Sequence, residues 1–146
     1  GGDREGTCCV GKREGVGGGL VGEVIARIES NGYAIIAIRM LVADRPLLEQ
    51  HYAEHKGKPF YEALLEFMLS GPIVALIAEG NRVIEGFRSL AGATDPTVAA
   101  SGTIRGDLAR DQGTDVVQNI VHGSDSPESA TREMKIFFHQ SSVEGK

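Results

Sequence analysis

The alternation of strand-like and helix-like segments most strongly constrains the fold of this chain. Apolar residues recur at helical spacing in segments such as 20–28, whereas the near-continuous apolar run 73–78 is typical of a buried strand. We expect the order strand, helix, strand, helix pair, strand, helix, long loop, strand, helix, with strands at 7–10, 33–42, 73–78 and 116–121. Such an order indicates an α+β sandwich, although the pattern alone leaves an open parallel α/β sheet nearly as plausible.

Helix boundaries are marked by capping and breaking residues. Asn31-Gly32 is a stop signal for the first helix, and Asp44 followed by Pro46 predicts the start of the second. Residues 57–59 break the helix pair, and a further helix is expected at 81–91. Residues 33–42 are rich in Ile and Ala, which predicts a buried strand.

Composition indicates an ordinary globular protein. The 146 residues are 41% hydrophobic and 24% charged, enough for one domain spanning 1–146 with flexible tails at 1–5 and 139–146. No apolar run approaches membrane-spanning length, and we expect a soluble cytoplasmic protein without a membrane partner. The net charge of −5 argues against specific nucleic-acid binding. Cys8 and Cys9 are adjacent and are expected to be reduced, small apolar residues in a strand.

The clearest site signal lies in residues 119–129. An apolar run ends in His122, and Asp125 or Ser126 can then cap a helix with Pro127 in its first turn. This places an imidazole, a competent nucleophile at neutral pH, at the end of a strand. Glu133, about two turns into the helix, is a candidate to hold its other nitrogen. Taken alone, such a histidine is more often structural or merely exposed.

Two motifs carry a family resemblance. His122-Gly123-Ser124-Asp125 after Asn119, with Gly102-Thr103-Ile104-Arg105-Gly106-Asp107 upstream, resembles the active-site signature of the nucleoside diphosphate kinases. The resemblance covers most of the chain and implies a ferredoxin-like βαββαβ fold, a four-stranded antiparallel sheet covered by helices. It also implies that His122 takes the γ-phosphate of a nucleoside triphosphate and passes it to a nucleoside diphosphate.

The resemblance assigns roles to further residues. It implies a catalytic group of His122, Lys12, Tyr52, Glu133 and Ser124. It implies nucleotide contacts from Lys12, Phe60, Arg88, Thr94, Arg105 and Asn119. Arginine suits phosphate because its planar fork binds two oxygens, and an aromatic ring such as Phe60 can stack on any base. Without the resemblance these residues read as core aromatics, surface arginines, turn hydroxyls and helix caps.

One segment departs from the family pattern. Lys12 occupies the expected position, but Arg13-Glu14-Gly15 stands where the family has Pro-Asp-Gly, and glycines crowd residues 11–19. This leaves open a catalytically weak or silent relative that serves as a nucleotide-binding or protein-interaction module. A third reading takes Gly6 to Lys12 as a short phosphate-binding loop of a hydrolase, although Arg13 replaces its required Ser or Thr. Residues 110–115 are expected to form an extra loop.

The sequence also leads to expectations about metal ions and about assembly of the chain into oligomers. Mg²⁺ is implied as the cofactor, carried by the nucleotide phosphates rather than held by protein ligands. His51 and His55 have a spacing that can bind metal from one helix, but two ligands without a third make a weak site. The family resemblance implies nucleoside triphosphates and diphosphates as partners and a symmetric homo-oligomer, either a tetramer or a hexamer.

Overall fold

The computed structural model describes residues 4–12, 20–92, 100–105, 107 and 121–138. The strands in these segments are β1 (Arg4–Lys12), β2 (Ala34–Leu41), β3 (Ile73–Asn81) and β4 (Val121–Gly123). The helices are α1 (Leu20–Ser30), α2 (Arg45–His51), α3 (Tyr61–Leu69), α4 (Val83–Ala91) and α5 (Pro127–Phe137), with a short 3-10 helix at Ala53–His55. None of the helices in the described segments combines the length and apolarity needed to cross a membrane.

The strands form one antiparallel sheet in the order β2-β3-β1-β4. This confirms the predicted ferredoxin-like α+β fold and rules out an open parallel sheet. β1 and β3 are central, and their alternate side chains enter two separate cores because helices cover both faces. Cys9 and Leu76 pack with α1 and α4, whereas Cys8 and Ala75 pack with α2, α3 and α5. Burial on both faces explains why 73–78 reads as a continuous apolar run.

The prediction of a buried strand at 33–42 is right about the strand but wrong about its burial. β2 pairs with β3 and is an outer strand among those described. Four apolar side chains of residues 33–42 are largely open to solvent in the single chain: the exposed fractions are 56% for Ile36, 51% for Ile38, 58% for Met40 and 72% for Val42. Apolar composition predicted the strand, but not its position at the edge of the sheet.

The beginning of the chain also differs from expectation. β1 starts at Arg4, which pairs with Asn81, so residues 4 and 5 belong to the sheet rather than to a flexible tail. The segment from Gly6 to Lys12 is extended and paired with β3 throughout. A phosphate-binding loop needs free backbone N–H groups in a turn, so the hydrolase reading is wrong. Other predictions concerned segments that lie outside the described residues, namely 1–3, 13–19, 110–115 and 139–146.

Helix caps were predicted well because they depend on local chemistry. The Asp44 carboxylate accepts the N–H of Leu47 at 3.0 Å and caps α2, with Pro46 in the first turn. Ser126, rather than Asp125, caps α5 through the N–H of Ser129 at 3.1 Å. The helix predicted at 81–91 begins at Val83, because β3 extends to Asn81. Residues 116–120 of the last predicted strand are outside the described part, and β4 continues through His122 to Gly123.

Candidate active site

His122 lies in β4, an outer strand of the sheet in the described segments, opposite Val10 of β1. Its side chain is half-buried, and its Nε2 is 3.2 Å from both carboxylate oxygens of Glu133. A carboxylate accepts, so Nε2 carries the hydrogen and donates it to Glu133. A neutral imidazole has a single ring hydrogen, which leaves Nδ1 with a free lone pair.

Glu133 is also held in place by contacts other than that with His122. It projects from α5 and is only 3% exposed. The hydroxyl of Ser124, itself fully buried, donates to Glu133 Oε1 at 2.6 Å and accepts the backbone N–H of Cys8 at 3.2 Å. Arg132 Nη2 stands 3.6 Å from the other carboxylate oxygen. The sheet, through Cys8, thus fixes Ser124, Ser124 fixes Glu133, and Glu133 orients the imidazole.

His122 opens onto a cleft of about 900 Å³, within the size range of small-molecule sites. Apolar and cationic side chains share its lining, including Tyr52, Phe60, Leu64, Phe87, Arg88 and Arg105. Phe60 stands at the start of α3, and its ring centroid is 5.4 Å from that of His55. Apolar surface beside positive charge suits a ligand that combines an aromatic ring with an anionic group.

The two arginines of the cleft differ in how they are held. Arg105 is 9% exposed and donates from Nη1 to the carbonyl of Gly92 and from Nη2 to that of Val121, both at 2.7 Å. Burial, with Arg88 nearby, lowers the pKa of Arg105 to about 10, so it keeps its charge at neutral pH. Arg88 is 56% exposed and lies 3.7 Å from Asp125 in an ion pair. Both guanidinium groups retain donors for an anion.

Two aromatic residues at the end of α2 lie beneath His122. The ring centroid of Tyr52 is 6.0 Å from that of His122, and burial raises the pKa of the phenol, which stays protonated at neutral pH. His51 is nearer: its ring stands almost perpendicular to that of His122, with centroids 4.5 Å apart. His51 is 2% exposed, and burial lowers its pKa well below the ordinary value, so its ring is neutral.

His51 is the site neighbour that sequence reasoning missed. The prediction that His51 and His55 share one helix is wrong, because α2 ends at His51 and His55 lies in the following 3-10 helix. No local pattern could have paired His51 with His122, since 71 residues separate them (122 − 51) and the contact depends on how α2 packs against the sheet.

The remaining predicted residues are placed only in part. Lys12 ends β1, where its backbone pairs with Ile73. Thr94 and Asn119 lie outside the described residues. The structure therefore places His122, Tyr52, Phe60, Arg88 and Arg105 around one cleft. Glu133 and Ser124 do not line the cleft but connect to it through His122.

A histidine held by a carboxylate and facing arginines across an open cleft has the parts that phosphoryl transfer through histidine requires. The fold and the site together thus define an α+β phosphotransferase. The family model described as nucleoside diphosphate kinase matches residues 5–143, and the chain belongs to that family. It is accordingly an enzyme, a nucleoside diphosphate kinase, and the comparisons do not favour the alternative of a silent binding module.

Curated relatives and solved structures agree with this assignment. A nucleoside diphosphate kinase of Streptomyces avermitilis is 59% identical over 128 residues, covering 87% of this chain and 90% of the relative. One from Thermobifida fusca is 55% identical, covering 87% and 91%. The structure of the Halobacterium salinarum enzyme in complex with CDP superimposes with a TM-score of 0.85 at 38% identity, covering 94% of this chain and 90% of that one. The predictions of family and fold are confirmed.

Proposed function

We propose that the enzyme transfers the γ-phosphoryl group through Nδ1 of His122 in two half-reactions. Nδ1 attacks the γ-phosphorus in line, the new N–P bond forms, the bond to the β,γ-bridging oxygen breaks, and the nucleoside diphosphate leaves. A β-phosphate oxygen of a second diphosphate then attacks, the N–P bond breaks, and the triphosphate leaves. The single observation that carries this proposal is the contact between His122 Nε2 and Glu133, which leaves the Nδ1 lone pair free.

Glu133 and Ser124 serve the nucleophile in this proposal. As Nδ1 bonds to phosphorus, the ring gains positive charge, and a carboxylate on Nε2–H stabilises that charge. Ser124 donates to the same carboxylate and keeps it aligned. Tyr52, packed beneath the ring, restricts its rotation.

Nucleotide binding is assigned to the walls of the cleft. We assign the phosphates to Arg88 and Arg105, and the base to the ring of Phe60, because these side chains line one cavity with His122. Family resemblance extends the phosphate set to Lys12 and Thr94 and gives the sugar hydroxyl to Asn119. Arg105 is the better anchored of the two arginines, since two backbone carbonyls hold its guanidinium.

Mg²⁺ fits this site as a companion of the nucleotide. Glu133 beside His122 and Asp125 in the lining of the cleft each have partners of their own: Glu133 accepts from His122 and Ser124, and Asp125 pairs with Arg88. Neither belongs to a cage of oxygen ligands of the kind a protein-bound magnesium ion needs. When bound to the phosphates, Mg²⁺ neutralises their charge, and the arginines complete that neutralisation.

We further propose that the chain forms a homo-oligomer, a tetramer or a hexamer, through β2. Ile36, Ile38 and Met40 on this outer strand, and Val42 directly after it, are four apolar side chains that are each more than half exposed. An exposed apolar surface on the outer strand of a sheet favours association with a second copy. Sedimentation velocity should show Ile38→Lys as a smaller species, whereas Ala63→Lys, an exposed position on α3, should match the unmodified protein. Equal sedimentation of both variants would contradict assembly through β2.

We also propose a cellular location and a domain organisation for this chain. Two free, buried cysteines and a net charge of −5 support a cytoplasmic, single-domain protein without a specific nucleic-acid partner.

Labelling with γ-³²P-ATP tests the reaction. The unmodified protein should acquire a label that acid removes and that added nucleoside diphosphate accepts, because phosphohistidine is acid-labile. His122→Ala should acquire none, whereas His55→Ala, a matched histidine of the same cleft, should keep the label. A label on His122→Ala, or none on folded unmodified protein, would refute transfer through His122.

A further inference from the structure

Three potential metal ligands lie close together, and the catalytic histidine is one of them. His51 at the end of α2, His122 in β4 and Glu133 in α5 each offer one ligand atom, and these atoms all lie within 4.8 Å of one another. The pair formed by His122 Nε2 and Glu133 is already 3.2 Å apart. The three residues come from three separate elements, so only the folded chain creates this cluster.

His51 supplies a second and independent observation. It is 2% exposed, yet neither of its ring nitrogens has a hydrogen-bond partner in the structure described here. Nearly all buried polar side-chain atoms in proteins have a partner, so an exception requires an explanation. Its unpartnered ring stands edge-on to His122 and offers a nitrogen to the cluster.

We propose that His51, His122 and Glu133 form a binding site for a divalent transition cation, Zn²⁺ above all, and that the bound ion stops phosphoryl transfer. Two imidazole nitrogens and one carboxylate oxygen are a known zinc ligand set with a fourth position left for water. Mg²⁺ would not compete, because it prefers oxygen ligands in octahedral geometry.

The spacing suits zinc after a small movement. Zinc–ligand bonds of about 2.0–2.2 Å in a tetrahedron separate the ligand atoms by about 3.3 Å. His122 and Glu133 have that separation now. The nitrogen of His51, within 4.8 Å of them, needs to approach by at most about 1.5 Å.

Inhibition follows from the tautomer of His122 and rests on the function proposed above. A metal on Nε2 takes the lone pair of that nitrogen, so a neutral ring must carry its single hydrogen on Nδ1. Nδ1 then has no lone pair with which to attack phosphorus. The ion lies between His122, His51 and Glu133, and His51 and Glu133 do not line the cleft, so nucleotide binding should persist.

Zinc binding is tested first, without any activity measurement. Equilibrium dialysis should find one Zn²⁺ per unmodified chain, and Co²⁺ in its place should give the visible absorption of a tetrahedral site. His51→Phe keeps an aromatic ring but removes both nitrogens, and should weaken Zn²⁺ binding at least tenfold and abolish the cobalt absorption. His55→Phe, which changes a neighbouring histidine outside the cluster, should bind as the unmodified chain does. His51→Asn is the second variant if the larger ring prevents folding.

Absence of zinc binding to the unmodified chain, or equal binding by the His51 and His55 variants, would overturn the metal site. Inhibition is then tested on zinc-loaded protein freed of excess metal by gel filtration. Labelling by γ-³²P-ATP should fall at least tenfold in the unmodified chain and in His55→Phe, but not in His51→Phe, while ADP affinity stays unchanged. Full labelling of the zinc-loaded chain would overturn the inhibitory role. A failure of the proposed phosphoryl transfer would give a different result: His122→Ala would still acquire the label when no zinc is present.

Discussion

Replacing Ser124 by alanine tests how the sheet holds the carboxylate behind His122. The substitution removes the hydroxyl that donates to Glu133 at 2.6 Å and accepts the N–H of Cys8 at 3.2 Å. Both contacts are buried, so water cannot replace the lost hydroxyl as the partner of Glu133 and Cys8. A hydrogen bond to a charged group contributes about 1.5–3 kcal/mol and a neutral one about 0.5–1.5 kcal/mol. We therefore expect the free energy of unfolding to fall by about 2–4 kcal/mol.

Urea denaturation at fixed protein concentration measures this loss. With a slope of about 2 kcal/mol per molar urea, the midpoint should drop by about 1–2 M. Thr131→Ala is the matched control, because its hydroxyl lies on α5, the helix that carries Glu133, but donates to the carbonyl of Pro127 on the exposed face. Its free energy of unfolding should change by less than about 0.5 kcal/mol.

The same variant separates stability from chemistry. If Ser124 aligns Glu133 and Glu133 aligns His122, phosphoenzyme formation by folded Ser124→Ala should slow by about 10- to 100-fold, since small misplacements of reacting groups have effects of this size. Nucleotide affinity should stay unchanged, because Ser124 does not line the cleft. A midpoint equal to that of Thr131→Ala, with unaltered labelling, would refute the chain of contacts from Cys8 to His122.

Three further predictions concern packing and thiol chemistry. Gly22→Ala in α1 should raise the free energy of unfolding by about 1 kcal/mol, because an added Cβ meets nothing within 4 Å. Gly86→Ala in α4 should instead lower it by about 1–3 kcal/mol, because the new Cβ would overlap the Tyr33 hydroxyl; a gain in this variant would contradict that packing. Burial raises the pKa of both Cys8 and Cys9, so the thiols should not react with a disulfide reagent at pH 8 until urea unfolds the chain. Rapid reaction of the folded protein would show that these thiols are accessible.

Local chemistry allowed several elements to be predicted from sequence. Asp44 and Ser126 cap their helices through contacts within three residues, so the pattern contains all the information needed. The partnership of Glu133 with His122 followed from the same logic, because a turn and two helical turns bring the two side chains together. The β2 prediction failed in its burial because edge position depends on which strands pair, which no local pattern contains.

The sequence by itself determined the family, the order of most elements and the identity of the nucleophile candidate, because apolar periodicity, capping residues and two contiguous motifs act over short distances. Only the tertiary structure decided that the hydroxyl of Ser124 bonds to Cys8 of β1 and that Arg105 is anchored by the carbonyls of Gly92 and Val121. It alone placed His51 beneath His122. These contacts join residues far apart in the chain, and their geometry exists only after the helices and strands have packed.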